Sequence, residues 1–356
     1  MISPFMRRVA NTHTRSVISR SAPAVINSSS FLQRTIPSII NFPFNQSSQN
    51  RASIPFQTVR MSSSNPANKN FTREHLFDCK GRVALVTGGG SGIGLMITQA
   101  LVANGAKVYI TGRTEEKLDR VVEKYSEGKD TIIAIPSDIT SKEGIKKLVS
   151  EIESKESNGG LHILVNNAGI SGATVETAAK SAEEAKNNLF DPSTFEDWTD
   201  VFRTNVSQLF FTTTAFLPLL QKASEKEHGW SSTVINITSI SGLVKSSQHH
   251  FQYNASKAAA NHLTRMLANE LTVGNGLLVR INAIAPGIFP SEMTAGESGQ
   301  DQKSALSKEK YEEKIPAGRP GRDQDMAQAV LSLVCNQYVN GEVYVVDGAY
   351  TLGVGK

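Results

Sequence analysis

From Lys80 to the end of this 356-residue chain, short runs rich in Val, Ile and Leu alternate with segments of helical length, and that alternation leaves few folds open. The runs 82–87, 107–111, 131–136, 161–166, 233–238, 278–283 and 343–346 read as strands. They are apolar nearly throughout, as expected of strands covered on both faces. Between them, 93–104, 115–125, 142–155, 195–223, 253–271 and 323–335 read as helices. This order implies a parallel sheet with helices on both sides. The expectation is one α/β domain over 71–356, Rossmann-type and doubly wound, with a seven-stranded parallel sheet.

Residues 1–70 stand apart. They hold no Asp or Glu but carry Arg7, Arg8, Arg15, Arg20, Arg34, Arg51, Arg60 and Lys69, interspersed with Ser and with apolar residues such as Phe5, Val17 and Phe31. This is the composition of an organellar transit peptide, a cationic amphipathic leader, and a mitochondrial address is the expectation. The alternatives are a disordered extension without an address, or an internal start at Met61 that would give a cytoplasmic form. Setting those 8 cations aside leaves 29 of the chain's 37 basic residues against all 33 acidic ones, which removes any general case for nucleic-acid binding. No stretch approaches the ~18 unbroken apolar residues of a membrane span. Cys79 and Cys335, the only cysteines, are too few for a disulfide framework or a zinc site and read as inert thiols; no metal is expected.

The first strand runs directly into Thr87-Gly88-Gly89-Gly90-Ser91-Gly92-Ile93-Gly94, which opens a helix. Glycine there allows a tight turn and lets a pyrophosphate approach backbone N–H groups at the helix N-terminus, so this turn predicts dinucleotide binding. The end of the second strand discriminates between cofactors. An acid there would bind a ribose 2′-hydroxyl, and an arginine would accommodate a 2′-phosphate. The chain reads Thr111-Gly112-Arg113, so NADP(H) is expected, with NAD(H) the disfavoured alternative in which Glu115 or Glu116 reaches the ribose. Asp138, followed by Ile139, is placed to accept from the adenine amine or to cap the helix near Ser141. Asn166-Asn167-Ala168-Gly169 closes the fourth strand with small residues that let a ligand approach.

Tyr253-Asn254-Ala255-Ser256-Lys257 lies 14 residues after Ser239. A tyrosine and a lysine four apart share one helix face, and an ammonium beside a phenol favours the phenolate. A hydroxyl that exchanges its proton near neutral pH suits carbonyl and alcohol chemistry.

Taken together, Thr87–Gly94, Asn166–Gly169, Asn205, Ser239, Tyr253–Lys257 and Pro286-Gly287 resemble the short-chain dehydrogenase/reductase family over about residues 80–350. The stretch 285–294 and the tail 343–348 look most like 3-oxoacyl-carrier-protein reductases and their fungal relatives. The resemblance implies that Tyr253 protonates the carbonyl oxygen, that Lys257 lowers the Tyr253 pKa and holds the nicotinamide ribose, and that Ser239 orients the substrate oxygen. Asn205 would hold a water linking Lys257 to solvent. Ser291 would supply the hydroxyl facing the nicotinamide carboxamide, with backbone near Ile288 and Phe289 contributing. Alternatives stand beside these roles: Ser241 as the working serine, and Asn205 as a buried amide satisfying helix backbone. His249 and His250 read as loop or pocket-wall residues.

The chain departs from the family pattern in three places. Ser239 and Tyr253 stand one residue further apart than in many members, which bulges the loop 243–252. The segment 171–193 exceeds a simple strand-to-helix turn, and Ser291 stands where relatives often place a threonine. Separately, 288–314 reads as a mobile lid or a solvated insertion. The expected activity is NADPH-dependent reduction of a ketone such as a 3-oxoacyl thioester. Dehydrogenation of a secondary alcohol, polyol or steroid is the alternative, and a cofactor-binding protein without turnover comes last. A small-molecule substrate and a homotetramer or homodimer are what the resemblance implies.

Overall fold

The computed structural model describes residues 65–157, 159–307 and 309–355. Most of the expected leader, 1–64, therefore lies outside the described residues, and with it the transit-peptide reading. Residues Pro66–Phe71 form a 3-10 turn that leads into the short helix α1 (Arg73–Leu76).

Seven parallel strands form one sheet: β1 (Val83–Thr87), β2 (Lys107–Gly112), β3 (Ile132–Pro136), β4 (Ile163–Asn166), β5 (Ser232–Ile237), β6 (Val279–Pro286) and β7 (Val343–Val346). Their order is β3-β2-β1-β4-β5-β6-β7, as the doubly wound reading required. The helices are α2 (Gly92–Ala103), α3 (Glu115–Tyr125), α4 (Lys142–Lys155), α5 (Ala182–Leu189), α6 (Phe195–Phe202), α7 (Gln208–Glu225), α8 (Phe251–Ala268), α9 (Glu292–Ala295), α10 (Glu309–Glu312), α11 (Asp323–Cys335) and α12 (Tyr350–Val354).

Because side chains alternate across a strand, β1 feeds two cores. Ala84 and Val86 pack with Leu95, Ile97 and Leu101 of α2 and with α11 on one face. Val83 and Leu85 pack with Ile152 of α4, Phe216 of α7 and Leu267 of α8 on the other. Each fully buried Leu, Ile or Phe contributes about 1.5–3 kcal/mol relative to exposure, which is why both faces had to be apolar. The edge strand β7 departs from this, with Tyr344 left 43% exposed.

Two expected elements differ. The single helix over 195–223 is interrupted by a π-helical turn, Arg203–Ser207, between α6 and α7. The helix expected from Tyr253 begins two residues earlier, which puts Tyr253 in its first turn. Cys79 and Cys335 are free thiols that lie against each other. They hydrogen-bond each other, which raises Cys79 and, with burial opposing and the Arg280 guanidinium assisting, lowers Cys335.

Candidate active site

The strand order reverses between β1 and β4, and ligands of open α/β sheets settle at the carboxyl ends of strands around such a point. A cleft of about 550 Å³ opens there, bordered by Gly88, Arg113, Asp138, Asn167, Tyr253 and Lys257. Ser91, Gly92, Ile93, Ile139 and Ser291 also border it.

Gly88 and Gly92 adopt φ of 64° and 52°, which side-chain-bearing residues rarely take. Gly94 serves differently: a Cβ there would lie 2.0 Å from the Gly88 carbonyl oxygen, so glycine lets α2 press against the turn. The turn is braced from β4. Asn167 donates its Nδ2 to the carbonyls of Thr87 (2.9 Å) and Gly88 (3.1 Å), and the Asn167 and Ala168 amides donate to Thr87 Oγ1. Asn167, expected as a cofactor contact, therefore spends its side-chain amide on the glycine turn. Thr87 as the second half of this brace was missed, although it was visible as the hydroxyl that ends β1. An open turn at the N-terminus of α2, where an added Cβ on Gly88 or Gly92 would close on neighbouring atoms at 2.9 Å, fits a dinucleotide pyrophosphate.

At the far end, exposed Arg113 follows β2. Asp138 Oδ1 accepts from the Thr140 amide (3.0 Å) and hydroxyl (2.7 Å), and these bonds hold its carboxyl below the usual range, with Arg113 adding to them. The capping alternative for Asp138 is overturned, because the α4 cap is Ser141, whose Oγ accepts from the Gly144 amide.

The chemistry-bearing groups gather where β5 meets α8. Ser239 follows β5 and its hydroxyl hydrogen-bonds Tyr253. Ser239 Oγ also accepts from the Ser241 amide at 3.1 Å, which makes Ser241 a support for Ser239. Burial pushes the Tyr253 phenol above its ordinary value, and the Ser239 contact opposes this. Lys257 does not bring that phenol below its ordinary value as anticipated, because burial prevails. Its Nζ lies 5.6 Å from the centroid of the Tyr253 ring and donates to the Ile237 carbonyl at 3.0 Å. Burial brings the Lys257 ammonium down to about 8.

Asn205 sits in the π turn and is 1% exposed. Its Oδ1 accepts from the Ile170 amide (2.9 Å), and its Nδ2 donates to the Ile170 carbonyl (2.8 Å) and to Ser256 Oγ (3.0 Å). The amide thus satisfies backbone, but that of the loop after β4 and not of its own helix. One widened turn is what aims the side chain across to that loop, and such bulges recur at functional sites.

Pro286 ends β6, and the Gly287 amide donates to the Val346 carbonyl at 2.9 Å. The Phe289 ring is buried beside Gly321, so only its backbone can serve a ligand, as expected. Ser291 caps α9 against Thr294 and lies directly over Gly92, nearer the glycine turn than the nicotinamide role implied. The lid reading also changes, because the segment is pinned. Glu292 pairs with Lys117 of α3 at 2.7 Å, Tyr125 donates to the Asp301 carbonyl at 2.7 Å, and Lys303 pairs with Asp323 at 2.6 Å. Burial works against the Glu292 charge, yet hydrogen bonds from Lys117 and Ser298 hold its carboxyl below the usual range. The histidines are wall residues: His250 meets Tyr253 edge-on at 6.2 Å, and His249 faces the loop at Val175.

Known proteins are similar to this chain in sequence and in fold. The family model described as short chain dehydrogenase matches residues 82–302. A protein of the fungus Diaporthe leptostromiformis, the short-chain dehydrogenase/reductase PhomF, is 40% identical over 281 residues, covering 77% of this chain and 92% of its own. The rhamnolipids biosynthesis 3-oxoacyl-[acyl-carrier-protein] reductase of Pseudomonas aeruginosa is 37% identical over 279 residues, covering 78% and 98%. Among solved structures, the Pseudomonas aeruginosa RhlG/NADP active-site complex is similar with a TM-score of 0.62 at 34% identity, covering 77% of this chain and 98% of that one.

Proposed function

The chain is an oxidoreductase belonging to the short-chain dehydrogenase family, and from there we propose that it is an NADPH-dependent reductase of ketones, with a 3-oxoacyl thioester as the substrate class. The observation that carries this reading is Tyr253, its phenol acted on by Ser239, beside buried Lys257 in a cleft that the glycine turn and Arg113 also border. The similarity to a 3-oxoacyl-[acyl-carrier-protein] reductase and to an NADP complex supports the substrate class and the cofactor.

When bound, NADPH supplies the hydride. The chain's own groups hold the reactants and move the proton. The turn Gly88–Gly94 receives the pyrophosphate, and Arg113 the 2′-phosphate. Ser239 donates to the ketone oxygen and orients it. Tyr253, kept protonated by the desolvation of its phenol, gives its proton to that oxygen as charge develops there. Lys257 holds the ribose and, as an ammonium, stabilises the tyrosinate left behind. Asn205, fixed by Ile170 and Ser256, keeps the loop after β4 against this group.

The sign of the pH dependence follows from Lys257. Its folded pKa lies below the usual lysine value, so its charge is present below about pH 8 and lost as pH rises through it. Reduction should hold steady below that point and fall by about tenfold per pH unit above it. Lys257→Arg, charged throughout, should move the falling limb upward. A rate that stays level well above pH 8 in the unmodified enzyme would remove the ammonium from the mechanism.

The substrate reading is tested by following NADPH and NADH oxidation by the full chain with an acetoacetyl thioester. Turnover with NADPH is expected, and Arg113→Ala should weaken NADPH by about 10–100-fold, the worth of a charged hydrogen bond, while leaving NADH unchanged. Equal losses for both cofactors would show that Arg113 does not read the 2′-phosphate. Turnover of polyols or steroids but not of the thioester would replace the substrate class.

A further inference from the structure

Between Ser239 and Tyr253 the loop turns a left-handed corner. Gln248 and His249, neighbours and neither of them glycine, adopt φ of 51° and 66°. Two consecutive left-handed residues with full side chains persist only where surrounding contacts over-determine them. Those contacts reach three separate segments. Gln248 Oε1 accepts from Ser241 Oγ at 2.7 Å, and its Nε2 donates to Tyr350 Oη of α12 at 3.3 Å. The His249 carbonyl accepts from the Val175 amide at 3.0 Å, and its ring Nδ1 lies 3.1 Å from the Val175 carbonyl and 3.5 Å from Thr177 Oγ1.

Two of these segments lead to the reacting centre. Ser241 donates its amide to Ser239 Oγ. Val175 lies in the loop whose start, Ile170, is held by Asn205. The next anchor of that loop is Gln252, adjacent to Tyr253, whose Nε2 donates to the Ala173 carbonyl at 2.6 Å. Ser241, Gln248, Val175 and Tyr350 do not border the glycine-turn cleft.

We propose that Gln248 and His249 are positioning residues: their left-handed corner clamps Ser241, the 170–178 loop and α12 together, so that Ser239 is aimed at the substrate oxygen and the wall that meets the rest of the ketone is set. The proposal rests on the reading of Ser239 as the group that orients the ketone. It makes this corner a determinant of substrate fit, acting on Ser239 through Ser241 and not on the cofactor.

Strain and function can be separated at Gln248. Glycine takes the left-handed conformation freely, so Gln248→Gly keeps the corner and should melt at or above the temperature of the unmodified protein. It removes both side-chain hydrogen bonds. In the full chain its kcat with an acetoacetyl thioester should fall by about tenfold, the scale of one lost hydrogen bond, with NADPH affinity unchanged. Gln248→Glu can accept from both the Ser241 and Tyr350 hydroxyls and should recover most of the rate. A Gln248→Gly enzyme as fast as the original overturns the proposal, as does a Gln248→Glu enzyme no faster than the glycine variant. Should the original enzyme leave the thioester untouched, the substrate reading fails on its own account. The clamp is then judged by hydrogen exchange: faster exchange of the Ser241 amide in Gln248→Gly supports it, and unchanged exchange overturns it.

Discussion

Replacing Tyr253 with phenylalanine should leave a folded protein that binds NADPH normally and reduces a ketone about 100- to 10,000-fold more slowly, the range for loss of a positioned proton donor. The ring that remains preserves the edge contact with His250 and the stack beneath Lys257 Nζ, so packing is undisturbed. What disappears is the hydroxyl that meets Ser239 and is held protonated by its surroundings. Cofactor affinity should survive because Arg113 and the glycine turn, which also border the cleft, are left intact. Single-turnover rates together with an NADPH titration decide the matter. A phenylalanine enzyme within tenfold of the original would move the proton donor elsewhere, and His250 would be the group to examine next.

Gly94→Ala should be as damaging by a different route. Alanine is the better helix former by about 1 kcal/mol, and α2 has ordinary helical geometry at this position, so local preference favours the change. Packing forbids it: the new methyl would sit 2.0 Å from the Gly88 carbonyl oxygen and 2.6 Å from Asn167 Nδ2. Neither can swing away. The first is backbone, and the second is bonded to the Thr87 and Gly88 carbonyls. Overpacking of this kind costs about 1–3 kcal/mol, and in a domain this large each of these lowers the melting temperature by roughly 2–4 °C. The pyrophosphate turn would be displaced with it, so NADPH affinity should fall by more than the stability does. Gly90→Ala is the control for stability, because its methyl would meet nothing tighter than the movable end of Leu118 at 3.2 Å. Calorimetry of the two variants should diverge; matching melting temperatures would refute the steric account.

The seven strands, their parallel arrangement and the glycine turn were legible because each is a local pattern with one physical cause. A strand covered on both faces is apolar along most of its length, as 83–86 is before Thr87 ends it. A backbone that must pass through positive φ calls for glycine, as at Gly88 and Gly92. Ser239, Tyr253 and Lys257 were legible through spacing, which brings the tyrosine and lysine to one face of α8. Their electrostatics were not. The phenol was expected to be lowered by the ammonium, but burial dominates, and burial depends on every element packed around it.

By itself, then, the sequence determined the order of elements, the doubly wound sheet and the residues that converge at its switch point. These follow from periodicity and residue chemistry within a few turns of chain. Tertiary structure decided what those residues do for one another. Nothing local marks Arg203–Ser207 as a π turn, since it holds no glycine or proline; the turn turns Asn205 toward Ile170, 35 residues away. Nothing local marks Gln248 and His249 as left-handed, and their partners Val175 and Tyr350 lie 74 and 102 residues off. The Lys117–Glu292 pair across the cleft spans 175 residues. The physical reason is the same in each case: a hydrogen bond or ion pair between distant segments forms only after the apolar faces of the sheet have brought those segments together, and it then overrides the local preference of the backbone that makes it.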